Sequence, residues 1–96
     1  MATKLIVLSN PNPEGKEAAE EYGAGVKALL GKFGGSIASR SVATETVTGS
    51  FEAKVIMVVQ FETEEGLKDF AYGEEYAALI PLRDKAFTQM TLLLAD

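Results

Sequence analysis

The sequence predicts an α+β fold with its elements in the order β-α-β-β-α-β. Short apolar runs of strand length lie near both ends of the chain and in its middle. A long stretch whose apolar residues recur at steps of three and four follows the first run, as in an amphipathic helix. Because 96 residues are a usual length for one domain, we expect residues 1–96 to form a single one.

The first strand is predicted over residues 3–9, an apolar run followed by turn-forming residues. Asn12 is expected to cap the first helix, with Pro13 at its first helical position. The apolar stripe of this helix consists of Ala19, Tyr22, Val26, Leu29 and Phe33. Gly23 and Gly25 lie inside the helix, and they predict either a local irregularity or the close approach of another segment.

Two strands are predicted in the middle of the chain. The Gly34-Gly35 pair gives a signal for the end of the first helix. Residues 36–48 are rich in Ser, Thr, Val and Ala and predict one long strand, with a bulge near its middle as an option. A turn at Gly49-Ser50 leads to residues 54–62, the clearest strand pattern of the chain.

The second helical region is predicted to begin after Thr63, which is a favourable capping residue. Gly73 should interrupt it, and a further helical piece is expected from residue 74 to about residue 87. That piece should bend or restart at Pro81, which has no N–H to donate. Residues 89–95 form the last predicted strand. The whole order is that of the split β-α-β, ferredoxin-like arrangement.

The third predicted strand is apolar on both of its faces. One face carries Val55, Met57, Val59 and Phe61, and the other carries Ile56 and Val58. An antiparallel sheet with one face in water should alternate apolar with polar residues. Because both helices would cover one face, we expect a second copy of the chain to cover the other, in a C2 homodimer packed sheet against sheet. The alternative is a monomer whose second face is capped by residues 36–48 and their loops.

The composition excludes several kinds of chemistry. The chain has no cysteine and no histidine, which rules out disulfides, thiolate nucleophiles, Cys-based zinc sites and histidine acid–base catalysis. No cofactor is predicted, and a bound metal would have to be a hard cation held by oxygen. The net charge of −5 and scattered lysines argue against nucleic acid and anionic membranes. With no membrane-spanning apolar run and no visible secretory signal, a cytoplasmic location is expected.

Residues 70–83 carry a spaced motif, aromatic-x-x-Ser-x-x-Tyr followed seven residues later by Arg. Tyr76 and Arg83 match it, whereas Phe70 stands where tryptophan is usual and Gly73 where serine is usual. Further matches in the same order are Gly34, Gly35, Arg40, Glu45, Gly49 and Phe61. Over nearly its whole length the chain therefore resembles the domain-of-unknown-function 1330 family.

This resemblance implies a relation to the dimeric α/β-barrel superfamily, whose members include cofactor-free monooxygenases, dehalogenase-like and decarboxylase-like enzymes, stress-response proteins and ligand-binding modules. It implies a barrel-like dimer, in agreement with the strand pattern. It implies no particular reaction, because a fold of this kind hosts many. The glycine at position 73 leaves no serine hydroxyl for a role there.

Six residues are candidates for contact with a ligand: Arg83, Tyr76, Arg40, Glu45, Phe70 and Phe61. The two arginines are the only ones in the chain, and arginine suits planar contacts to carboxylate or phosphate. The structural alternative pairs an arginine with Glu45, Glu62 or Glu75. Tyr76 could donate a hydroxyl proton, or fill the core with its hydroxyl on a backbone carbonyl. A buried Glu45 would be a candidate base.

The expected function is that of a small dimeric protein that binds an anionic or carbonyl-bearing molecule between helices and sheet. One alternative is a cofactor-free enzyme, monooxygenase-like or isomerase-like, in which Tyr76, Arg83 and Glu45 polarise and orient the substrate. The other is a purely structural or regulatory homodimer. A cleft with unpaired polar groups beside Tyr76 and Arg83 would favour the first two, and an Arg83 fully paired to glutamates would favour the third.

Overall fold

Four strands form one antiparallel sheet, with all helices packed against the same face. The computed structural model describes residues 1–51 and 53–96. Its elements are β1 (Lys4–Pro11), α1 (Lys16–Phe33), β2 (Gly35–Val42), β3 (Val55–Phe61), α2 (Glu64–Tyr72), α3 (Glu74–Ala77), α4 (Ile80–Ala86) and β4 (Phe87–Ala95). The strand order is β2-β3-β1-β4. The predicted α+β, ferredoxin-like order is confirmed, with the second helical region divided into three pieces.

The face of the sheet toward the helices, here called the inner face, contains the core. Leu5 at its centre lies opposite Val59 on one side and Leu94 on the other. Leu5 and Val59 are buried together with Tyr22, Leu29 and Leu30 of α1 and with Leu67, Phe70 and Tyr76 of the second helical region. The predicted apolar stripe of α1 thus meets the inner face and holds the helix on the sheet.

The opposite face, here called the outer face, is also apolar. It carries Ile6, Leu8, Ile56, Val58 and Leu93, and the register places Ile6 between Val58 and Leu93. None of these side chains belongs to the core cluster, and Leu93 is 47% exposed. β2 pairs with β3 at the edge of the sheet, so residues 36–42 of the segment named in the monomer alternative do not lie across this face.

The first helix begins later than predicted. Asn12 does not cap it; its Oδ1 accepts a hydrogen bond from the Glu14 N–H at 3.1 Å, and the helix begins at Lys16 after Gly15. The reason is tertiary, because the Asn12 N–H donates to the Ala86 carbonyl at 2.9 Å and ties this turn to the end of α4. The predicted end of the helix is confirmed, since Gly34 has a φ of 78° and its N–H donates to the Leu30 carbonyl.

α1 continues without interruption through Gly23 and Gly25. A Cβ atom on Gly25 would lie 2.7 Å from the Leu79 Cδ2 atom. Of the two options given by the sequence, the close approach of another segment is therefore right for Gly25. A Cβ on Gly23 would meet nothing within 4 Å, so that position leaves open space beside the helix.

β2 is shorter than predicted, because it ends at Val42 and leaves residues 43–48 outside the sheet. Its partner β3 begins only at Val55. Immediately before it, the Lys54 N–H turns toward β1, where it donates to the Ser9 carbonyl at 3.1 Å and to the Asn10 Oδ1 atom at 2.7 Å. The optional bulge is present, since Ala38 is the unpaired residue between Ile37 and Ser39.

The second helical region follows its sequence signals closely. The Thr63 Oγ1 atom accepts a hydrogen bond from the Gly66 N–H at 3.0 Å, which confirms the predicted cap. Gly73 separates α2 from α3, and α4 restarts at Ile80 with Pro81 in its first turn. β4 starts at Phe87, two residues before the predicted boundary. Among the described residues, no helix has both the length and the apolar character that a membrane crossing requires.

Candidate functional site

A cavity of about 640 Å³ lies between α1 and the inner face of the sheet. Its lining includes Val7, Met57, Val59 and Leu92 from the sheet, and Val26 and Leu30 from α1. Phe70, Tyr76 and Phe87 add aromatic side chains from the rest of the chain. A mostly apolar concave site of this size, with few polar groups, is typical of small-molecule sites.

The polar groups inside the cavity are centred on two tyrosines. The Tyr22 and Tyr76 hydroxyl oxygens lie 2.7 Å apart, and both rings are buried. Arg83 donates through Nη1 to the Tyr76 hydroxyl oxygen at 3.2 Å. The Tyr22 hydroxyl oxygen in turn lies 3.5 Å from the Met90 Sδ atom, within reach of a weak hydrogen bond to sulfur. The result is a continuous chain of polar contacts from α4 to β4.

Burial and the neighbouring hydroxyl keep Tyr22 protonated. Burial is the largest cause that raises the pKa of Tyr22, followed by its hydrogen bond and charge interaction with Tyr76, whereas Arg83 lowers it by less. The partial burial of Arg83 acts to lower the pKa of the guanidinium, but its contacts with Tyr76 and Asp84 raise that pKa overall. Tyr22 is therefore a neutral donor, and Arg83 a permanent cation.

Arg83 has few partners of opposite charge. Its Nε atom lies 3.8 Å from Asp84 Oδ1, and the Asp84 side chain is 71% exposed. None of the three glutamates of the structural alternative pairs with it among the described residues, and Glu75 instead pairs with Lys32. Arg83 does not line the cavity itself, and it reaches the cavity through the Tyr76 hydroxyl.

Two cations lie on the lining of the cavity. Lys27 of α1 and Arg40 of β2 both line it and are both exposed to solvent. Within residues 1–51 and 53–96, neither of them forms a salt bridge. The β2 bulge directs Arg40 inward, because the shifted register places it opposite Met57 of the inner face.

The structure brings together only some of the six predicted site residues. Tyr76, Phe70 and Arg40 line the cavity, and Arg83 touches Tyr76 from outside it. Phe61 is a core residue that borders a separate depression of about 360 Å³ with Gly34 and Glu62. Glu45 is exposed in the segment after β2 and does not line the cavity, so its predicted placement on a strand was wrong.

Sequence reasoning missed two residues of the cavity. Tyr22 was assigned to the core alone, and Lys27 was not considered as part of a site. The buried Ser9 at the end of β1, a residue that could equally serve the turn after this strand, also lines the cavity. A usable signal was present in α1, where Ala19, Gly23, Lys27 and Gly31 recur every four residues and all line the cavity. Small residues on one row of a helix leave room beside it, and a cation in that row then faces the open space.

The described residues contain no group of acidic side chains placed to hold a metal ion. The fold and the cavity thus define a ferredoxin-like α+β protein with one mostly apolar site under α1. The family model described as a domain of unknown function (DUF1330) matches residues 5–96. The chain therefore belongs to this family, as the resemblance predicted.

Several solved structures are similar to the chain in fold. A protein of unknown function from Rhodopseudomonas palustris is 14% identical with a TM-score of 0.80, over 96% of this chain and 78% of that one. A dimeric ferredoxin-like protein of unknown function from Bacteroides fragilis is 14% identical with a TM-score of 0.61, over 98% of this chain and 94% of that one.

A dimeric ferredoxin-like protein of unknown function from Thermobifida fusca is 11% identical with a TM-score of 0.57, over 99% of this chain and 87% of that one. At these identities the similarity establishes the fold alone. No protein with a curated description matches the chain.

Proposed function

We propose that the protein binds a small amphipathic anion in the cavity between α1 and the sheet. The observation that carries this proposal is the pair of cations, Lys27 and Arg40, on the lining of a mostly apolar cavity. Both lack a salt-bridge partner in the described part of the chain, although the protein has a net charge of −5. Unpaired cations in an acidic protein are available to an anion from solution.

The apolar lining would supply most of the affinity. Each Å² of apolar ligand surface removed from water contributes about 25 cal/mol, so an alkyl or aryl body gains several kcal/mol in such a site. The cations would fix the orientation of the ligand, since Arg40 can contact a carboxylate through two parallel hydrogen bonds. A carboxylic acid with a medium-length apolar body matches both features.

The cavity supports binding better than catalysis. The enzyme alternative assigned a role to Glu45, which lies outside the cavity. Among the described lining residues there is no aspartate or glutamate to act as a general base. The Tyr22 hydroxyl, which lines the cavity in contact with the Tyr76 hydroxyl, remains as a donor and suits recognition of an oxygen atom on the ligand.

A direct test uses dodecanoate as the probe in isothermal titration calorimetry. We expect binding by the wild type and no comparable binding of dodecyltrimethylammonium, which has the same chain and the opposite charge. The double variant Lys27→Ala/Arg40→Ala should bind dodecanoate about tenfold more weakly, in line with the loss of two partly solvated charge contacts. Lys16→Ala, which removes an exposed lysine of α1 away from the cavity, is the matched control. Equal binding of both probes, or of neither, would contradict the proposal.

We further propose that the protein is a homodimer joined through the outer face. The apolar side chains of that face support this assembly, because Leu93 is 47% exposed and the other four are only partly buried. The Bacteroides fragilis and Thermobifida fusca proteins of the same fold are described as dimeric. A second copy is a self-complementary cover for such a face, because a C2 axis pairs the patch with itself.

Light scattering at micromolar concentration should give twice the mass of one chain. Leu93→Lys places a charge within the proposed interface and should give monomers. Ala24→Lys, at an exposed position of α1, adds the same charge elsewhere and should leave the dimer intact. A monomeric wild type would refute the assembly without bearing on the cavity.

A further inference from the structure

We propose that the cavity recognises its ligand at two ends, and that Tyr22 donates a hydrogen bond to a second oxygen of the ligand at the end next to β4. The ligand class is then an elongated monocarboxylic acid with a carbonyl oxygen remote from its carboxylate. This inference rests on the anion-binding function proposed above and adds a requirement to it.

The hydrogen-bond chain has one direction that satisfies every donor. Arg83 carries only donors, so the Tyr76 oxygen must accept from it. If Tyr22 donated to Tyr76, the Tyr76 proton would find no other acceptor among the described residues. If Tyr76 donates to Tyr22, the Tyr22 proton points to Met90 Sδ at 3.5 Å. The order Arg83 to Tyr76 to Tyr22 to Met90 therefore leaves no buried donor unused.

The last acceptor in this chain is the weakest. A thioether sulfur is a poor hydrogen-bond acceptor compared with a carbonyl oxygen. Tyr22 and Met90 both line the cavity, so an oxygen atom of a ligand can take the place of the sulfur. Because the Tyr22 hydroxyl is buried and protonated, this donor is ready before a ligand arrives and needs no reorganisation.

The two ends of the cavity are far apart. Arg40 belongs to β2 and Met90 to β4, which are the opposite edge strands of the sheet. Three strand spacings separate them, about 14 Å in total. A ligand that reaches both ends must therefore be elongated, with its carboxylate near Arg40 and its second oxygen near Tyr22.

The role of Arg83 follows from the same chain. Its guanidinium directs the Tyr76 proton toward Tyr22, and Tyr22 then presents its own proton to the cavity. Arg83 is thus a positioning residue that acts through two hydroxyls and does not contact the ligand. This separates it from Arg40, which lines the cavity and meets the carboxylate.

The experiment compares two probes of the same chain length, dodecanoate and the monomethyl ester of decanedioic acid. The second carries a carbonyl oxygen at the end remote from its carboxylate. We expect Tyr22→Phe to reduce the affinity for the ester about three- to tenfold more than it reduces the affinity for dodecanoate. This factor is in the range of one hydrogen bond. Arg40→Ala should reduce the affinity for both probes by the same factor.

The outcomes separate this inference from the binding function itself. If the wild type binds neither probe, the anion-binding function fails and the two-ended recognition fails with it. If both probes bind but Tyr22→Phe weakens them equally, the binding function stands and the Tyr22 contact is refuted. If Tyr76→Phe removes the discrimination and Tyr22→Phe does not, the donor is Tyr76 and the direction of the chain is wrong.

An infrared measurement keeps the inference testable even if the Tyr22 variant folds poorly. The carbonyl stretch of the bound ester, isotope-labelled at that carbon, should lie at lower frequency in the wild-type protein than in hexane, because the oxygen accepts a hydrogen bond. A bound ester with the frequency found in hexane would overturn the proposal.

Discussion

The Tyr22 and Tyr76 hydroxyls form a 2.7 Å hydrogen bond between side chains that are 54 positions apart in the sequence. The two rings also meet edge to face, with their centroids 6.2 Å apart. One contact therefore joins α1 to α3 and places two hydroxyls in the wall of the cavity.

Tyr76→Phe should destabilise the protein by about 1–2 kcal/mol, because it removes the acceptor of Arg83 and one partner of the buried Tyr22 hydroxyl. The measurement is the free energy of unfolding in urea. Tyr72→Phe is the control, since Tyr72 is 76% exposed and its hydroxyl lies in no buried network. Equal stability of the Tyr76 variant and the wild type would show that the polar chain adds nothing to folding.

The Tyr22 hydroxyl should make stability depend on alkaline pH. Its pKa is raised in the folded protein above the ordinary 10.0, so the folded state holds this proton more tightly than the unfolded state. The stabilising contribution of the protonated Tyr22 to the free energy of unfolding is complete below about pH 10. It is lost as the pH rises further, by up to about 1.4 kcal/mol per pH unit. Between pH 9 and pH 11, the urea midpoint of unfolding should fall more for the wild type than for Tyr22→Phe. A parallel fall in both proteins would contradict the assignment.

Gly31 of α1 and Gly34, which directly follows that helix, should respond in opposite directions to alanine. Gly34→Ala should cost about 1–2 kcal/mol, because Gly34 has a φ of 78° that an L-residue adopts only with strain. Gly31→Ala should stabilise by about 0.5–1 kcal/mol, because a Cβ there meets nothing within 4 Å and alanine favours the helix. Thermal unfolding of the two variants checks both signs at once.

Thr63→Ala should cost about 1 kcal/mol, through loss of the side-chain acceptor for the Gly66 N–H at the start of α2. Thr44→Ala, in the exposed segment after β2, is the matched control and should leave the free energy of unfolding nearly unchanged. Thr63→Ser, which keeps the hydroxyl, should retain most of the free energy of unfolding that Thr63→Ala loses. Failure of serine to do so would point to the methyl group instead of the cap.

The sequence predicted best those features that depend on a few neighbouring residues. The Thr63 cap and the Gly34 helix end were confirmed, because each is decided within one helical turn. Asn12 and Glu45 were placed wrongly for the opposite reason. The backbone of Asn12 is held by Ala86, and the strand expected to contain Glu45 ends because its partner strand begins only at Val55.

The candidate site divides in the same way. The spaced motif was sufficient to select Tyr76 and Phe70, which do line the cavity. The partnership of Tyr76 with Tyr22 depends on how α1 lies over the sheet, and no local pattern encodes it. The inward direction of Arg40 could not be predicted either, because it depends on the position of one unpaired residue in β2.

That unpaired residue, Ala38, has an evolutionary consequence. Side chains alternate along a strand, so a regular β2 of the same length would turn Arg40 to the side opposite Ile37 and onto the outer face. A relative that placed its extra residue elsewhere in this strand would exchange a cation in the proposed ligand site for one in the proposed subunit contact. Drift in the position of a single insertion could therefore change ligand preference and oligomeric state together, with no substitution at Arg40.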